Sequence, residues 1–209
     1  DSLSSIPHFA ETKKLYNAFT ECQYDNCKQK IYGSFLKQFD LFLSENEKSE
    51  AIGDFVGHVT NEILGYLPFV QQSNELLIST LLVLTRCCNY IQISYDPQGL
   101  VILLINSFIC IQNDISLLQK CKTLFVHLLT NKINFTDFVN SGGLVMIFNC
   151  VFTELNSEDL AVFIVNLFFN YIPEENYEFV SFDQVLLTFL SVFKKGNIYS
   201  DVIFEATIF

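Results

Sequence analysis

The sequence contains little charge and few of the residues that interrupt helices. Charged side chains make up 17% of its 209 residues, and there are four Pro and eight Gly, whereas half of the residues are hydrophobic. This composition excludes a disordered chain, because disorder requires high charge and low hydrophobicity. A chain of this length can bury a sizeable core. We therefore expect a single folded domain over residues 1–209.

Positive charge is also scarce. Twelve Lys and Arg stand against 23 Asp and Glu, which gives a formal net charge of −11. Proteins that bind nucleic acid neutralise its phosphates with Lys and Arg. An anionic membrane surface attracts the same residues. We therefore expect neither nucleic acid nor a membrane as the partner.

Long apolar runs and a secretion signal are missing as well. Uninterrupted apolar runs such as Leu100–Ile105 fall far short of the ~18 residues of a membrane span. No charged start precedes an apolar stretch and a small-residue cleavage site, and a start at Asp1 fits a trimmed chain. The seven Cys are an odd number, and several lie in apolar runs, where Cys acts as a small hydrophobe. These features predict a soluble cytoplasmic protein.

Apolar residues recur every three or four positions over stretches longer than strands, which predicts an all-α fold. Ile31, Phe35 and Phe39, for example, share one helical face. The segment from Pro97 to Ile111 is apolar on all sides, so we expect it in the middle of the helix layers. Two predicted helices include Leu15–Cys22 and Ile31–Phe42, and the others cover about 51–68, 74–89, 97–111, 114–130, 143–154, 158–172 and 183–194.

An internal repeat narrows the fold class. Residues 98–104 (QGLVILL) align with residues 142–148 (GGLVMIF) at an offset of 44. Three Asn that close long apolar helices, at positions 89, 131 and 170, are separated by 42 and 39 residues. A period near 40 is typical of armadillo and HEAT repeats. We predict an α-solenoid of this type, with an N-terminal helical cap over 1–70 and repeats over 74–195.

The sequence contains no pattern that predicts catalysis, and we expect neither an enzyme nor a cofactor. His8, His58 and His127 are far apart, and none has a second ligand at a metal-binding spacing. The pairs Cys22/Cys27 and Cys87/Cys88 are interpreted as core residues, because no base accompanies them. A phosphate-binding loop and a nucleophile elbow are both missing. No catalytic, cofactor-binding or metal-binding residue is predicted.

Polar side chains recur at a spacing of four inside three otherwise apolar helices. This spacing places each set along one side of its helix. In a stack of helices such sets line one concave surface, and Asn amides suit the backbone or polar side chains of a partner. The alternative interpretation is that the Asn cap helix ends and that His127 is buried and satisfied. The predicted partner-binding residues of this polar stripe are Thr85, Asn89, Thr123, His127, Asn131, Asn166 and Asn170.

Acidic residues are concentrated in the C-terminal third. From Ile133 to Phe193 the chain has eight Asp and Glu and no Lys or Arg. Such a stretch is usually a solvated surface, but a field of one sign also steers a partner of opposite charge. We therefore expect a basic protein surface as the partner, with Glu158 and Asp159 added to the predicted partner-binding residues.

Two segments carry a resemblance to a known family. Residues 134–144 (NFTDFVNSGGL) and 167–174 (LFFNYIPE) resemble the cell-division-control scaffold of the fungal septation initiation network, which is distinct from the phosphatase of the same name. That family has an Asn-Phe-x-x-Phe-x-x-x-x-Gly-Leu block, followed by a helix of the form Phe-Leu-x-Phe-Tyr-Leu-x-Pro-Glu. From about Leu76 to Leu129 the likeness lies in Leu-rich helices. The family's basic residues between the two blocks are absent here.

The resemblance implies a non-catalytic subunit of an armadillo-like fold. It would bind a protein kinase of the germinal-centre class at the spindle pole body, support its activity, and so promote septation and cytokinesis. An alternative is an armadillo-type adaptor that holds an extended basic peptide or cargo segment without influencing an enzyme. A kinase assay with and without the protein distinguishes the two.

Overall fold

A computed structural model describes residues 3, 5–70, 73–93, 97–111, 114–130, 132–155 and 157–168. Within these ranges the chain forms helices joined by short turns and contains no strand, which confirms the predicted all-α class. Residue contacts divide the chain into two compact units, Asp1–Ile93 and Ser94–Phe209. The solenoid and the single domain over 1–209 stay predictions. The predicted helix 183–194 lies outside the described residues.

Four helices form the described part of the first unit, called unit 1. They are α1 (Phe9–Glu21), α2 (Asp25–Glu45), α3 (Glu50–Val70) and α4 (Asn74–Cys87). The sequence predicted that the third helix ends at Pro68, but α3 continues to Val70. A proline lacks the backbone N–H that continues a helix, and α3 ends two residues beyond it. In unit 1, α2 contacts α1 and α4, and α3 also contacts α4.

Aromatic rings fill the interior of unit 1. On α2, Phe35 and Phe39 are fully buried and their ring centroids lie 5.5 Å apart in a stacked arrangement. Phe55 of α3 meets this row edge-on, with its centroid 5.6 Å from that of Phe42. Phe19 of α1 stacks on Phe35 at 5.9 Å. The spacing of Ile31, Phe35 and Phe39 therefore identified the buried face of α2 correctly.

A buried hydroxyl chain connects α2 to α4. The Tyr32 hydroxyl lies 2.9 Å from Thr80 Oγ1, and Thr80 Oγ1 donates to the Leu76 carbonyl oxygen at 2.7 Å. Because the Thr80 proton is used in that bond, Tyr32 is the donor of the first. Burial raises the pKa of Tyr32 far above its usual value, so this hydroxyl keeps its proton. These two hydrogen bonds satisfy the Tyr32 and Thr80 hydroxyls, whose burial without a partner would be costly.

The described part of the second unit, called unit 2, contains five α-helices. They are α5 (Pro97–Ile111), α6 (Ile115–Thr130), α7 (Lys132–Asn140), α8 (Gly143–Asn149) and α9 (Glu158–Asn166). A π-helical segment, Cys150–Leu155, follows α8 directly. Helix α5 contacts α6, α7, α8 and the π-helical segment. Its contacts with four elements agree with the central position predicted for it.

Phenylalanines also form the core of unit 2. Phe138 of α7 and Phe148 of α8 are fully buried, and both rings contact Phe168, at centroid distances of 6.2 and 5.6 Å. Phe125 of α6 meets Phe108 of α5 at 5.6 Å. These side chains hold the helices of unit 2 together and leave little of their own surface for a partner.

A tight corner between α7 and α8 depends on two glycines. Gly142 has a φ of 81°, a left-handed conformation that side chains with a Cβ disfavour. At Gly143 an added Cβ would lie 2.7 Å from the Phe138 carbonyl oxygen and as close to its ring. The backbone at the start of α8 therefore lies directly on Phe138.

The repeat at an offset of 44 is reflected in burial. Ile102 and its equivalent Met146 are exposed, whereas Leu103 and its equivalent Ile147 are buried. The next pair, Leu104 and Phe148, is buried as well. The repeat therefore corresponds to shared inward and outward positions at these three pairs, whereas Val101 is buried and its equivalent Val145 is exposed.

We predict that Phe39→Ala lowers the free energy of unfolding by about 3–5 kcal/mol, because it removes a fully buried ring. The matched control is Phe69→Ala, whose ring is 61% exposed and should cost less than about 1 kcal/mol. Urea unfolding followed by circular dichroism measures both. Equal losses would contradict the aromatic core.

A second prediction compares two glycines. Gly143→Ala should destabilise unit 2 by about 2 kcal/mol or more, because the new methyl group meets backbone that cannot easily move. Gly65→Ala, where nothing lies within 4 Å of the added Cβ, should stabilise α3 by about 0.5–1 kcal/mol. Thermal unfolding of the two variants should shift in opposite directions, and a neutral Gly143→Ala would refute the corner geometry.

Candidate functional site

The predicted polar stripe begins in unit 1 with Thr85 and Asn89. Thr85 lies on α4, is half-buried, and donates its hydroxyl proton to the Leu81 carbonyl oxygen at 2.7 Å. Asn89 lies in the turn after α4, where its side chain is exposed and its backbone N–H donates to the Arg86 carbonyl oxygen. Of the two side chains, Asn89 is therefore the more accessible to a partner.

In unit 2 the stripe continues on α6 and α9. Thr123 is exposed and His127 is half-buried, both on α6, and the half-buried Asn166 is the last residue of α9. The two helices touch, since the ring centroids of Phe125 and Phe163 lie 6.3 Å apart. The structure thus brings the helices of these three residues into contact.

The polar stripe extends beyond the described residues and over both units. Asn131 and Asn170 lie outside the described residues. Thr85 and Asn89 belong to unit 1, whereas Thr123, His127 and Asn166 belong to unit 2. A common concave surface for all seven residues stays a prediction.

Glu158 and Asp159 open helix α9. Ser157 precedes them as the N-cap, and its hydroxyl oxygen accepts a bond from the Leu160 backbone N–H at 3.4 Å. Carboxylates in the first turn of a helix interact favourably with its dipole, which gives Asp159 a structural role, whereas the Glu158 side chain lies outside what the structure describes. The Asp159 side chain is exposed and is therefore also accessible to a partner.

Exposed apolar side chains on α5 and α8 were missed by the sequence analysis. Ile102 and Ile109 of α5 are 50% and 46% exposed, and Val145 and Met146 of α8 are 44% and 49% exposed. These four residues are called the α5/α8 apolar surface, and the two helices contact each other. Large apolar residues that are exposed on neighbouring helices often indicate a site of protein association. The signal in the sequence was the lack of a polar side on α5.

No three His, Cys, Asp or Glu side chains of the described residues come together as a metal-binding group. Among the helices described above, none has both the length and the apolar character required to cross a bilayer.

Comparisons with known proteins do not assign this chain to a family. No family model, no curated protein and no solved structure matches this chain.

His127 provides a testable pH dependence. Burial lowers its pKa below the usual 6.5, so the unfolded chain takes up a proton at this site more readily than the folded protein. Stability should therefore fall as the pH drops through 6.5 and continue to fall until the folded state is protonated too. At neutral and higher pH both states are uncharged here and the contribution vanishes.

We predict that His127→Gln, which removes this titration, reduces the loss of melting temperature between pH 7.5 and pH 5.5. The difference between wild type and variant isolates the histidine from the other titrating groups. Differential scanning calorimetry at the two pH values provides the measurement. An identical loss in both proteins would show that His127 titrates equally in the folded and unfolded states.

Proposed function

We propose that this chain is a non-catalytic helical scaffold that binds a protein partner. The observation that carries the proposal is the α5/α8 apolar surface, where Ile102 and Met146 are exposed at equivalent positions of the internal repeat. Covering apolar area contributes roughly 25 cal/mol per Å² to association. Polar residues of the same unit, Thr123, His127, Asn166 and Asp159, would add directional contacts to the partner.

We further propose, from the resemblance, that the partner is a protein kinase of the germinal-centre class. The chain would then act as a regulatory subunit in septation and cytokinesis, in the cytoplasm and at the spindle pole body. Such a subunit raises kinase activity only if it binds the active arrangement more tightly than the inactive one. The kinase would therefore have to present different surfaces to the scaffold in its two states.

The first of the two segments that carry the resemblance, residues 134–144, is itself structural, whereas most of the second, 167–174, lies outside the described residues. Phe135 and Phe138 are buried, and Gly143 lies against Phe138 at the corner between α7 and α8. These residues therefore contribute to the helical core of unit 2. The choice of a kinase as partner rests on the family resemblance alone.

An adaptor for an extended basic segment is the second candidate. Asp137 and Asp159 are exposed, and both belong to the stretch from Ile133 to Phe193 that lacks Lys and Arg. A basic peptide would be steered to such a surface, and its association would weaken with added salt.

The test is binding of the purified chain to a panel of germinal-centre-class kinase domains, followed by size-exclusion chromatography with light scattering at moderate salt. We expect a stoichiometric complex and increased phosphotransfer activity. The double substitution Ile102→Ser and Met146→Ser should weaken the complex about 10- to 30-fold, because two apolar contacts of about 1 kcal/mol each are lost.

Leu41→Ser is the matched control, because this unit 1 residue is 44% exposed and apolar but lies outside the α5/α8 apolar surface. Its complex should remain unchanged. Stable binding of a Lys- and Arg-rich peptide that Asp137→Lys and Asp159→Lys abolish, without any change in kinase activity, would favour the adaptor. If the chain binds neither a kinase nor the peptide, both proposed functions are rejected.

A further inference from the structure

The seven cysteines differ sharply in their surroundings. All of them lie in the described part of the chain, where Cys27 is exposed, Cys22, Cys88 and Cys110 are half-buried, and the others are buried. The interpretation as core residues is confirmed for Cys87 but is wrong for Cys27. The spacing in the sequence did not reveal that a helix turn exposes this residue.

Cys22 and Cys27 approach each other at the turn between α1 and α2. Cys22 follows α1 in an extended conformation, and Cys27 is the third residue of α2. The Cys22 thiol donates to the Tyr24 carbonyl oxygen with a sulfur-to-oxygen distance of 3.6 Å. The same carbonyl oxygen accepts the Lys28 backbone N–H at 2.8 Å, so the Cys22 thiol lies against the first turn of α2, which contains Cys27. The two cysteines are therefore close together at one short turn.

We propose that Cys22 and Cys27 form a site of reversible oxidation, at which a small-molecule disulfide such as oxidised glutathione converts the two thiols to an intramolecular disulfide. The Cys27 thiolate attacks one sulfur of glutathione disulfide, whose S–S bond breaks and releases one glutathione thiolate. The Cys22 thiol then loses its proton to water, and its sulfur attacks Cys27 and releases the second glutathione. Two protein thiols are oxidised and one glutathione disulfide is reduced to two thiols.

The exposure of Cys27 allows the first step of this exchange, and its proximity to Cys22 allows the second. Cys27 can be reached from solvent, which the first step requires. The second step is intramolecular, and a reacting group held nearby is effectively at very high concentration. The interaction with the Cys22 thiol raises the pKa of Cys27, and nearby Lys30 opposes that shift. Because the thiolate is the attacking species, the reaction should accelerate as the pH rises from 7 to 9.

The other cysteines are poor candidates for the same chemistry. Burial raises the pKa of Cys87 and of Cys88 to about 12, and the Cys88 thiol donates to the Leu84 carbonyl oxygen at 3.3 Å. Cys121 and Cys150 are buried. Burial also raises the pKa of Cys110. We therefore expect selective oxidation at Cys22 and Cys27.

The test uses the full chain, equilibrated in buffers of increasing ratio of oxidised to reduced glutathione and then denatured in N-ethylmaleimide. Trypsin cleaves after Lys14 and Lys28, and no Lys or Arg lies between them, so Leu15–Lys28 contains both cysteines. We expect this peptide to lose two hydrogen atoms and to take up no maleimide. The other five of the seven cysteines should be alkylated.

Cys22→Ser should stop the reaction at a mixed disulfide between Cys27 and glutathione. Cys110→Ser is the matched control, because it removes a half-buried thiol elsewhere and should leave the oxidation of Leu15–Lys28 unchanged. The peptide map of the wild-type protein gives an answer even if a variant folds poorly. Two maleimides on Leu15–Lys28 at every glutathione ratio, a persistent mixed disulfide in the wild-type protein, or a bond to another cysteine would each overturn the proposal.

Discussion

The aromatic face of α2 is the surface to which the other helices of unit 1 attach. Phe35 stacks against Phe19 of α1, Phe42 meets Phe55 of α3, and Tyr32 reaches Thr80 of α4. Ring pairs of this kind contribute about 0.5–1.5 kcal/mol beyond the area they bury. The Tyr32 hydroxyl adds a positional requirement, because it needs an acceptor in an otherwise apolar interior. One helix face thus determines where three other helices can lie.

The sequence predicted the buried face of α2 because burial there follows a regular spacing. Phe35 and Phe39 recur with the period of a helix, and no competing apolar side exists on α2 to obscure them. Helix α5 differs, because its residues are apolar all around and the period gives no direction. Which of its isoleucines faces solvent depends on where α6, α7 and α8 pack, and this is a tertiary property. In the sequence, only the internal repeat, which aligns Ile102 with Met146, indicated that these residues of α5 and α8 occupy equivalent positions.

The candidate site was harder to predict than the fold. The spacing of residues along a helix indicates which side of the helix they occupy, but it does not indicate what they contact. Thr85 and Asn89 have the same spacing of four as Thr123 and His127, yet the Thr85 hydroxyl proton is used by its own helix. This back-bonding is common for Thr in helices. Cys22 and Cys27 show the opposite case, in which residues interpreted as core residues meet at an accessible turn. Both differences arise from local geometry that residue type alone does not encode.

Helices α5 and α8 each contain buried positions that stabilise the fold and exposed positions that are accessible to a partner. Leu103 and Ile147 point inward and are fixed by packing, so a change there alters the fold first. Ile102 and Met146 are about half-exposed, so their outer surface is accessible to a partner. In helical repeat proteins such outward positions are free to adapt to a partner. The proposed scaffold would then obtain affinity from the α5/α8 apolar surface, while exposed acidic residues such as Asp137 would set the rate and salt dependence of association.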